Sequence, residues 1–247
     1  MSDLKNRVEE INAAFKSLTV VEMLRWLSEQ FPGAVCYSSA FGLEGQVVTH
    51  FILKNKISIK VFTIDTGRNF QETYNVWRAT NDKYGVNIET YYPMADSVQK
   101  MLTEKGPNSF YDSPENRKEC CYLRKVEPLN RALKGQKIWI SGLRAEQSVL
   151  RSNKEPVEWD SEREMIKVYP LFYWTAVEVK DIIHNENIPY NELSDKGFLS
   201  IGCAPCTRAV RPGENERSGR WWWEDNEEKE CGIHIPEPKV QPTNWTI

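Results

Sequence analysis

The 247-residue chain lacks the features that mark several common classes of protein. It has no apolar run of the roughly 18–20 residues that span a bilayer, and its N-terminus lacks the basic and then apolar pattern of a secretion signal. The formal net charge is only −3, so no basic surplus favours non-specific binding to nucleic acid. These absences predict a cytoplasmic protein that binds neither membranes nor nucleic acids.

Two familiar phosphate-binding patterns are also missing. No Gly-x-x-x-x-Gly-Lys-Ser/Thr run occurs, which excludes a P-loop NTPase, and no Gly-x-Gly-x-x-Gly run occurs, which argues against a dinucleotide-binding Rossmann domain. Six cysteines in a chain of this length are too few for a disulfide scaffold. In a reducing compartment, clustered cysteines more often bind a metal or take part in catalysis.

Hydrophobic patterning predicts helices that alternate with strands. Such alternation is typical of an α/β fold in which a parallel sheet is covered by helices on both faces. Residues 105–119 are polar and contain glycine and proline, so they are predicted to form a loop. The predicted strands are residues 34–37, 57–64, 86–92 and 137–141, and the predicted helices are residues 4–18, 20–30, 45–54, 70–84 and 174–185.

No linker divides the sequence, so we expect one domain over residues 1–247. From residue 213 onward the chain becomes charged, then rich in tryptophan, and finally rich in proline. This change of composition predicts a flexible C-terminal segment over residues 213–247.

Three loops that follow predicted strands are suited to bind an anion. Ligands of parallel sheets bind beyond the carboxyl ends of the strands, and hydroxyls, glycines and helix N-termini offer donors to phosphate or sulfate. Any one of these loops alone is more simply an ordinary turn, but three at successive strand ends favour a binding site. The candidate residues are Ser38, Ser39, Gly42, Leu43 and Glu44 in the first loop, Asp65, Thr66, Gly67 and Arg68 in the second, and Gly142 and Arg144 in the third.

Four cysteines form two pairs that could hold a metal centre. Cys203 and Cys206 have the two-residue gap that lets both thiolates face one centre. Cys120 and Cys121 are adjacent, so ligation by both requires a local bend or a helix edge. Four thiolates suit either structural zinc or an iron–sulfur cluster, and the spacing does not choose between them. Cys36 lies inside a predicted strand and is expected to be a core residue.

Cys231 has no neighbouring cysteine and is the candidate nucleophile. It follows Arg217 and Arg220 and precedes His234 by three residues. Nearby cations raise the thiolate fraction of a cysteine, and arginines can bind a polyanionic group. The adjacent glutamates oppose this activation, so we expect it only when the C-terminal segment closes over a basic pocket. The simpler alternative is an exposed cysteine without a role.

The motifs, taken in order, resemble those of the assimilatory sulfonucleotide reductases, which reduce adenylylsulfate (APS) or phosphoadenylylsulfate (PAPS). The resemblance covers about residues 33–234, and the ordered set is far more specific than any single motif. The runs that carry it are Ser-Ser-Ala-Phe-Gly-Leu-Glu at 38–44, Asp-Thr-Gly-Arg at 65–68, Cys-Cys-Tyr-Leu-Arg-Lys at 120–125, Ser-Gly-Leu-Arg at 141–144, Gly-Cys-Ala-Pro-Cys at 202–206, Arg-Ser-Gly-Arg-Trp at 217–221 and Glu-Cys-Gly-Ile-His at 230–234.

This resemblance implies a parallel sheet of the adenine nucleotide α-hydrolase-like type, related to the ATP pyrophosphatases, with a mobile C-terminal catalytic segment. It also implies that Cys120, Cys121, Cys203 and Cys206 are the ligands of a [4Fe-4S] cluster. The cluster-bearing branch of the family typically reduces APS, and some of its members also accept PAPS. The oligomeric state is left open between a monomer and a homo-oligomer.

The implied mechanism begins with attack of the Cys231 thiolate on the sulfate sulfur of APS. AMP leaves, an S-sulfocysteine remains, and thioredoxin or a glutaredoxin-like reductant then releases sulfite for cysteine biosynthesis. The loops at residues 38–44 and 65–68 would hold the adenylate. The resemblance places around the phosphosulfate the residues Lys125, Arg144, Arg151, Arg217, Arg220 and His234.

Two other functions compete with this interpretation. An ATP pyrophosphatase-type enzyme would usually carry a Ser-Gly-Gly-x-Asp-Ser loop, and residues 38–44 lack both its glycine pair and its aspartate. A non-enzymatic zinc-binding interaction module would use the four paired cysteines but would need neither the three anion-binding loops nor Cys231.

Overall fold

The computed structural model describes residues 2–224, in which six strands form one sheet of order β3-β2-β1-β4-β6-β5. The strands are β1 (Val35–Ser39), β2 (Lys60–Ile64), β3 (Glu89–Tyr91), β4 (Ile138–Ile140), β5 (Val157–Asp160) and β6 (Met165–Val168). The helices are α1 (Ser2–Phe15), α2 (Val20–Gln30), α3 (Leu43–Lys54), α4 (Gln71–Tyr84), α5 (Ala95–Lys105), α6 (Pro114–Cys121), α7 (Glu127–Leu133), α8 (Val149–Ser152) and α9 (Ala176–Asn185).

Five of the six strands are parallel, which confirms the predicted α/β class. Strand β1 lies at the centre, with β2 on one side and β4 on the other. The carboxyl ends of these three strands therefore meet at the same edge of the sheet. The sixth strand differs from the prediction, because β5 pairs with β6 in the antiparallel direction and forms an edge.

The two faces of the sheet pack against two different cores. Side chains alternate along a strand, so Val35 and Tyr37 of β1 face one way and Cys36 faces the other. Val35 and Tyr37 pack with residues of α1, α2, α3 and α9 in the larger core. Cys36 packs with Trp139 of β4 in the second core, which also contains Cys120 and Cys206. The second core therefore supports the paired cysteines.

Local signals account for the best-predicted elements. Helix α2 begins after Thr19, whose side chain accepts a hydrogen bond from the backbone N–H of Glu22, while the Glu22 carboxylate accepts from the backbone N–H of Thr19. This reciprocal cap satisfies two N–H groups at the start of the helix. Leu24 and Leu27 are completely buried on its inner face. The predicted limits, 20–30, match the helix.

The predicted loop over residues 105–119 is wrong in its second half. Helix α6 begins at Pro114, and the side chain of Ser113 accepts a hydrogen bond from the backbone N–H of Asn116. Proline suits the first turn of a helix because its missing N–H would have no partner there. The Ser-Pro pair therefore starts a helix that carries the first two cysteines.

The described chain contains no helix that is both long and apolar enough to cross a membrane. Residues 213–224 of the segment predicted to be flexible form turns with specific contacts. Arg220 pairs with Thr207 in an isolated antiparallel bridge, and the Arg117 guanidinium binds both carboxylate oxygens of Glu224 at 2.7 and 3.0 Å. Residues 225–247 lie outside the described part, so the flexibility of the whole segment stays a prediction.

Candidate active site

One pocket opens at the carboxyl ends of β1, β2 and β4, where the three anion-binding loops were predicted. Its lining combines these loops with all four paired cysteines and several arginines. Most of the predicted site residues are therefore brought together. Those that line the pocket are Ser38, Ser39, Gly42, Leu43, Glu44, Thr66, Arg68, Cys120, Cys121, Lys125, Gly142, Arg151, Cys203, Cys206, Arg217 and Arg220.

The loop after β1 leads directly into α3 and has unusual backbone geometry. Phe41 has a φ of 55°, a value uncommon for a residue other than glycine. Its ring stacks on that of Trp77, with centroids 5.6 Å apart. The loop after β4 lies close to it, because a methyl group at Gly142 would be only 3.2 Å from Cβ of Glu44. Glycine at position 142 lets the two loops approach each other.

Asp65 does not line the pocket but holds its own loop in place. One carboxylate oxygen accepts hydrogen bonds from the backbone N–H of Gly67 at 2.8 Å, from Asn69 at 3.1 Å and from the Tyr74 hydroxyl at 2.9 Å. Gly67 is also absent from the lining, and its φ of 69° serves the turn. The structure thus assigns both residues a role in shaping the loop, and contact of either with a ligand stays a prediction.

Arg144 is the third predicted binding residue that does not line the pocket. It is 2% exposed and binds three carboxylates, those of Glu44 at 2.7 Å, Glu146, and Glu216 at 3.3 Å. Burial raises the pKa of Glu216, while the Arg144 charge opposes that increase. Arg144 therefore joins the first loop to the segment that carries Arg217 and Arg220.

The adjacent cysteines lie at the end of α6, directly before a π-helical turn over Tyr122–Val126. Single π-helical turns are common at functional sites. The change in helix geometry meets the requirement for a local bend at an adjacent pair. In the same turn, Lys125 lines the pocket and Arg124 donates a hydrogen bond to the backbone oxygen of Thr66 at 2.8 Å.

The other two cysteines flank a short 3₁₀ turn over Ala204–Cys206. The backbone N–H of Ala204 donates to the Arg68 carbonyl at 2.8 Å, and that of Trp221 donates to the Cys206 carbonyl at 3.1 Å. The Thr66 hydroxyl lies 3.3 Å from the Cys203 sulfur. These contacts fix the turn between the loop after β2 and the segment after Gly219.

Two of the four thiols, those of Cys120 and Cys206, are buried close to arginines. Burial and the neighbouring Cys203 raise the pKa of Cys206 to about 12, while the charges of Arg220 and Arg68 oppose this increase. Burial also raises the pKa of Cys120, opposed chiefly by Arg124. Burial thus favours the protonated form of these two thiols, and binding of a metal by them would release the protons.

The structure also contains donors that suit an anionic metal–thiolate group. Nε of Arg124, Nε of Arg220 and Nε1 of Trp221 are buried and have no hydrogen-bond partner among residues 2–224. The guanidinium carbons of Arg117 and Arg220 lie 4.7 and 4.8 Å from the centroid of the Trp221 ring. Buried donors normally have partners, so these three fit a site whose partner is negatively charged.

Within residues 2–224, no three Cys, His, Asp or Glu side chains converge on a single metal-ion position. The ligands of a cluster bind separate iron atoms and need not converge on one point. The choice between a cluster and zinc for the four cysteines therefore stays a prediction.

Sequence reasoning missed several residues of the pocket. Arg117 and Arg124 lie three residues before and four residues after Cys120, which is the spacing of one helix face. The loop predicted over residues 105–119 hid this helical spacing for Arg117. Trp139, Phe198 and Trp221 also line the pocket. Trp221 ends the Arg-Ser-Gly-Arg-Trp run at 217–221 but was given no role, and nothing in the local sequence of Trp139 or Phe198 distinguishes them from ordinary core residues. Cys231 and His234 lie outside the described residues, so their assignments stay predictions.

Known proteins resemble this chain over most of its length. The family model for the phosphoadenosine phosphosulfate reductase domain matches residues 34–209. Adenosine 5′-phosphosulfate reductase from Allochromatium vinosum is 42% identical over 219 residues, which cover 89% of this chain and 85% of that protein. The same-named protein from Rhizobium meliloti is 44% identical over 205 residues, which cover 83% and 77%.

Solved structures agree with this likeness. Phosphoadenylyl-sulfate reductase from Candida auris, in a phosphate complex, superposes with a TM-score of 0.71 at 30% identity and covers 83% of this chain and 97% of that one. Candida glabrata FMN adenylyltransferase has a TM-score of 0.51 at 14% identity, with 96% and 86% covered. The second likeness concerns the fold alone, and it confirms the predicted nucleotide α-hydrolase-like architecture.

Proposed function

Because the chain belongs to the phosphoadenosine phosphosulfate reductase family, we propose that it is an oxidoreductase that reduces APS to sulfite and AMP in sulfate assimilation. One observation carries this proposal, namely a pocket lined jointly by the three predicted anion-binding loops, arginines and four cysteines. The relatives that are 42–44% identical act on adenosine 5′-phosphosulfate by name. The Candida auris protein named for PAPS is 30% identical.

The four paired cysteines are proposed to hold a [4Fe-4S] cluster. Their shared pocket, their cationic surroundings and the three unpartnered donors fit such a group. When bound, the cluster would supply structural support and an electrostatic field, and it would not carry electrons. Lys125 follows Cys121 by four residues and lines the same pocket, so it is suited to lie between the cysteines and an anionic substrate.

The chemical step is proposed to be a displacement at sulfur. The Cys231 thiolate forms a bond to the sulfate sulfur, the bond from sulfur to the phosphate oxygen breaks, and its electron pair leaves with AMP. Arg217 and Arg220 are cations of the pocket and would stabilise the charge that develops on the leaving phosphate. Covalent catalysis of this kind divides one difficult step into two easier ones. His234 is assigned to this step by the family resemblance alone.

The second step consumes two electrons from an external dithiol, proposed to be thioredoxin or a glutaredoxin-like protein. One thiolate attacks the Cys231 sulfur, the S–S bond to the sulfo group breaks, and sulfite leaves with the electron pair. The second thiolate resolves the mixed disulfide and regenerates Cys231. A cytoplasmic location suits such a reductant. The sulfite that forms would serve cysteine biosynthesis.

Mass spectrometry of the Cys231 peptide tests the proposed function. Anaerobically purified protein is incubated with APS or with PAPS in the absence of reductant. We expect a sulfo adduct on Cys231 with APS, removed by thioredoxin with release of sulfite. A stronger adduct with PAPS would instead assign the substrate that gives adenosine 3′,5′-bisphosphate. The covalent mechanism is wrong if protein that binds nucleotide and retains its iron gives no adduct, and the pyrophosphatase alternative would then return.

Replacing Gly202 by alanine is expected to weaken substrate binding through Arg220. A methyl group at position 202 would overlap the Arg220 guanidinium, which is the mobile end of a long side chain and can move away. Loss of a charge-assisted contact of about 1.5–3 kcal/mol would raise KM for APS roughly tenfold to a hundredfold. Steady-state kinetics would measure this change.

The matched control is the double variant Gly202→Ala with Arg220→Ala. Both single changes act through the same guanidinium, so the double variant should have the KM of Arg220→Ala alone. Additive effects would contradict this explanation. Gly219→Ala makes a useful contrast, because its methyl group would overlap the backbone oxygen of Arg208 and should lower the melting temperature.

A further inference from the structure

Trp139 of β4 faces the end of β1, where the first anion-binding loop begins. It pairs with Cys36 across the parallel register of β1 and β4. Side chains two residues apart on a strand share a face, so Ser38 lies on the same face as Cys36 and next to Trp139. The indole N–H of Trp139 donates a hydrogen bond to the Ser38 hydroxyl oxygen, with Nε1 and Oγ 2.9 Å apart.

This contact fixes what the Ser38 hydroxyl can do. A serine oxygen has two lone pairs and one hydrogen, whereas an indole nitrogen only donates. One lone pair of Ser38 is therefore occupied, and the hydroxyl hydrogen must point elsewhere. Among residues 2–224, Ser38 makes no other side-chain hydrogen bond, and it lines the pocket. Its hydrogen is left for a ligand in the pocket.

The ring of Trp139 is held in one orientation. Its side chain is 1% exposed and packs in the second core. The Lys167 ammonium lies 5.2 Å from the ring centroid and is itself bound to Asp160 at 2.7 Å. Arg163 lies farther away, with its guanidinium carbon 5.8 Å from the same centroid. Burial therefore keeps the N–H directed at Ser38.

We propose that Trp139 is a positioning residue for nucleotide binding, which holds Ser38 as a hydrogen-bond donor to an anionic oxygen of the 5′-phosphate. The identity of this ligand rests on the proposed function, but the geometry of the pair does not. Without the indole N–H, the serine hydroxyl could rotate freely among its staggered positions and would donate to the phosphate less often. Trp139 thus acts on the ligand through Ser38.

A double-mutant cycle measured with AMP tests this role. Ser38→Ala and Trp139→Phe should each weaken AMP binding in calorimetry by about three- to tenfold, the range of one hydrogen bond. The double variant should bind AMP no more weakly than Ser38→Ala alone, because the proposed effect of Trp139 passes through the Ser38 hydroxyl. Additive losses, or full affinity in Trp139→Phe, would overturn the proposal.

Two further variants separate the hydrogen bond from packing. Benzothienylalanine at position 139 keeps the ring shape and replaces N–H by sulfur, so it should weaken AMP binding as Trp139→Phe does, even if the phenylalanine variant does not fold. Arg163→Gln removes an outer contact of the ring and should lower the melting temperature while AMP affinity stays unchanged. Weaker AMP binding in Arg163→Gln, or normal binding with benzothienylalanine, would assign Trp139 a packing role only.

APS turnover of the unaltered protein is measured in parallel. A protein that shows the expected cycle with AMP but no sulfite release would retain the positioning role and lose the proposed function. A protein that turns over APS but shows no coupling between positions 38 and 139 would support the proposed function and contradict the positioning role of Trp139.

Discussion

Replacing Cys231 by serine is expected to lower kcat for sulfite formation from APS at least about a thousandfold, since it removes the proposed nucleophile of a covalent mechanism. A serine hydroxyl is not ionised near neutral pH and attacks the sulfate sulfur poorly. It also cannot form the S–S bond that a dithiol reduces. Sulfite release with excess thioredoxin would measure the loss, and the sulfo adduct should disappear with it.

The controls for Cys231→Ser separate chemistry from folding. Cys231 lies outside the described residues, and none of the described contacts depends on its thiol. The variant should therefore keep the iron content and the AMP affinity of the unaltered protein. Sulfite release at an undiminished rate would show that another group is the nucleophile. Loss of iron from the variant would instead assign Cys231 to the metal centre.

Replacing Cys206 by serine is expected to remove most of the iron and to lower activity by more than about tenfold, because binding of the proposed cluster would contribute to the stability of the folded site. Cys206 is buried and interacts electrostatically with both Cys203 and Cys120. A serine oxygen is a poor substitute for a thiolate on iron. Iron and labile sulfide per chain, measured on anaerobically purified protein, would check the result.

Cys36→Ser is the matched control for this experiment. Cys36 is as deeply buried as Cys206 and belongs to the same core, but it does not line the pocket. Its thiol lies 3.5 Å from the Ile138 carbonyl oxygen, to which a serine hydroxyl can also donate. The control should retain its iron. Equal iron in both variants, or zinc without labile sulfide in the unaltered protein, would contradict the cluster assignment.

The sequence predicted those parts of the fold that local patterns determine. Thr19 and Glu22 mark the start of α2, and the short apolar run around Cys36 marks the central strand. The hairpin of β5 and β6 was missed because each strand has only four residues, too few to show a period. Helix α6 was missed because Pro114 was taken as a sign of a loop, although proline also begins helices.

Within the site, the sequence located the loops but not the direction of every side chain. Asp65 follows a strand as a ligand-binding residue would, yet its carboxylate accepts hydrogen bonds from its own loop. Arg144 was expected to bind an anion, and this stays a prediction; two of the carboxylates that it contacts, those of Glu44 and Glu216, are distant in sequence. Such partners are brought together only by the folded chain, and so is the contact of Trp139 with Ser38.

The short turn between Cys203 and Cys206 has a thermodynamic consequence. One side of it is hydrogen-bonded to the loop that carries Arg68, and the other side to the segment that carries Arg220. A group bound by the cysteines and an anion bound by those arginines would therefore both depend on the position of this turn. Linkage requires that each changes the affinity of the other by the same factor, so the change in substrate affinity on removal of the cysteine-bound group should equal the change in affinity for that group on removal of substrate.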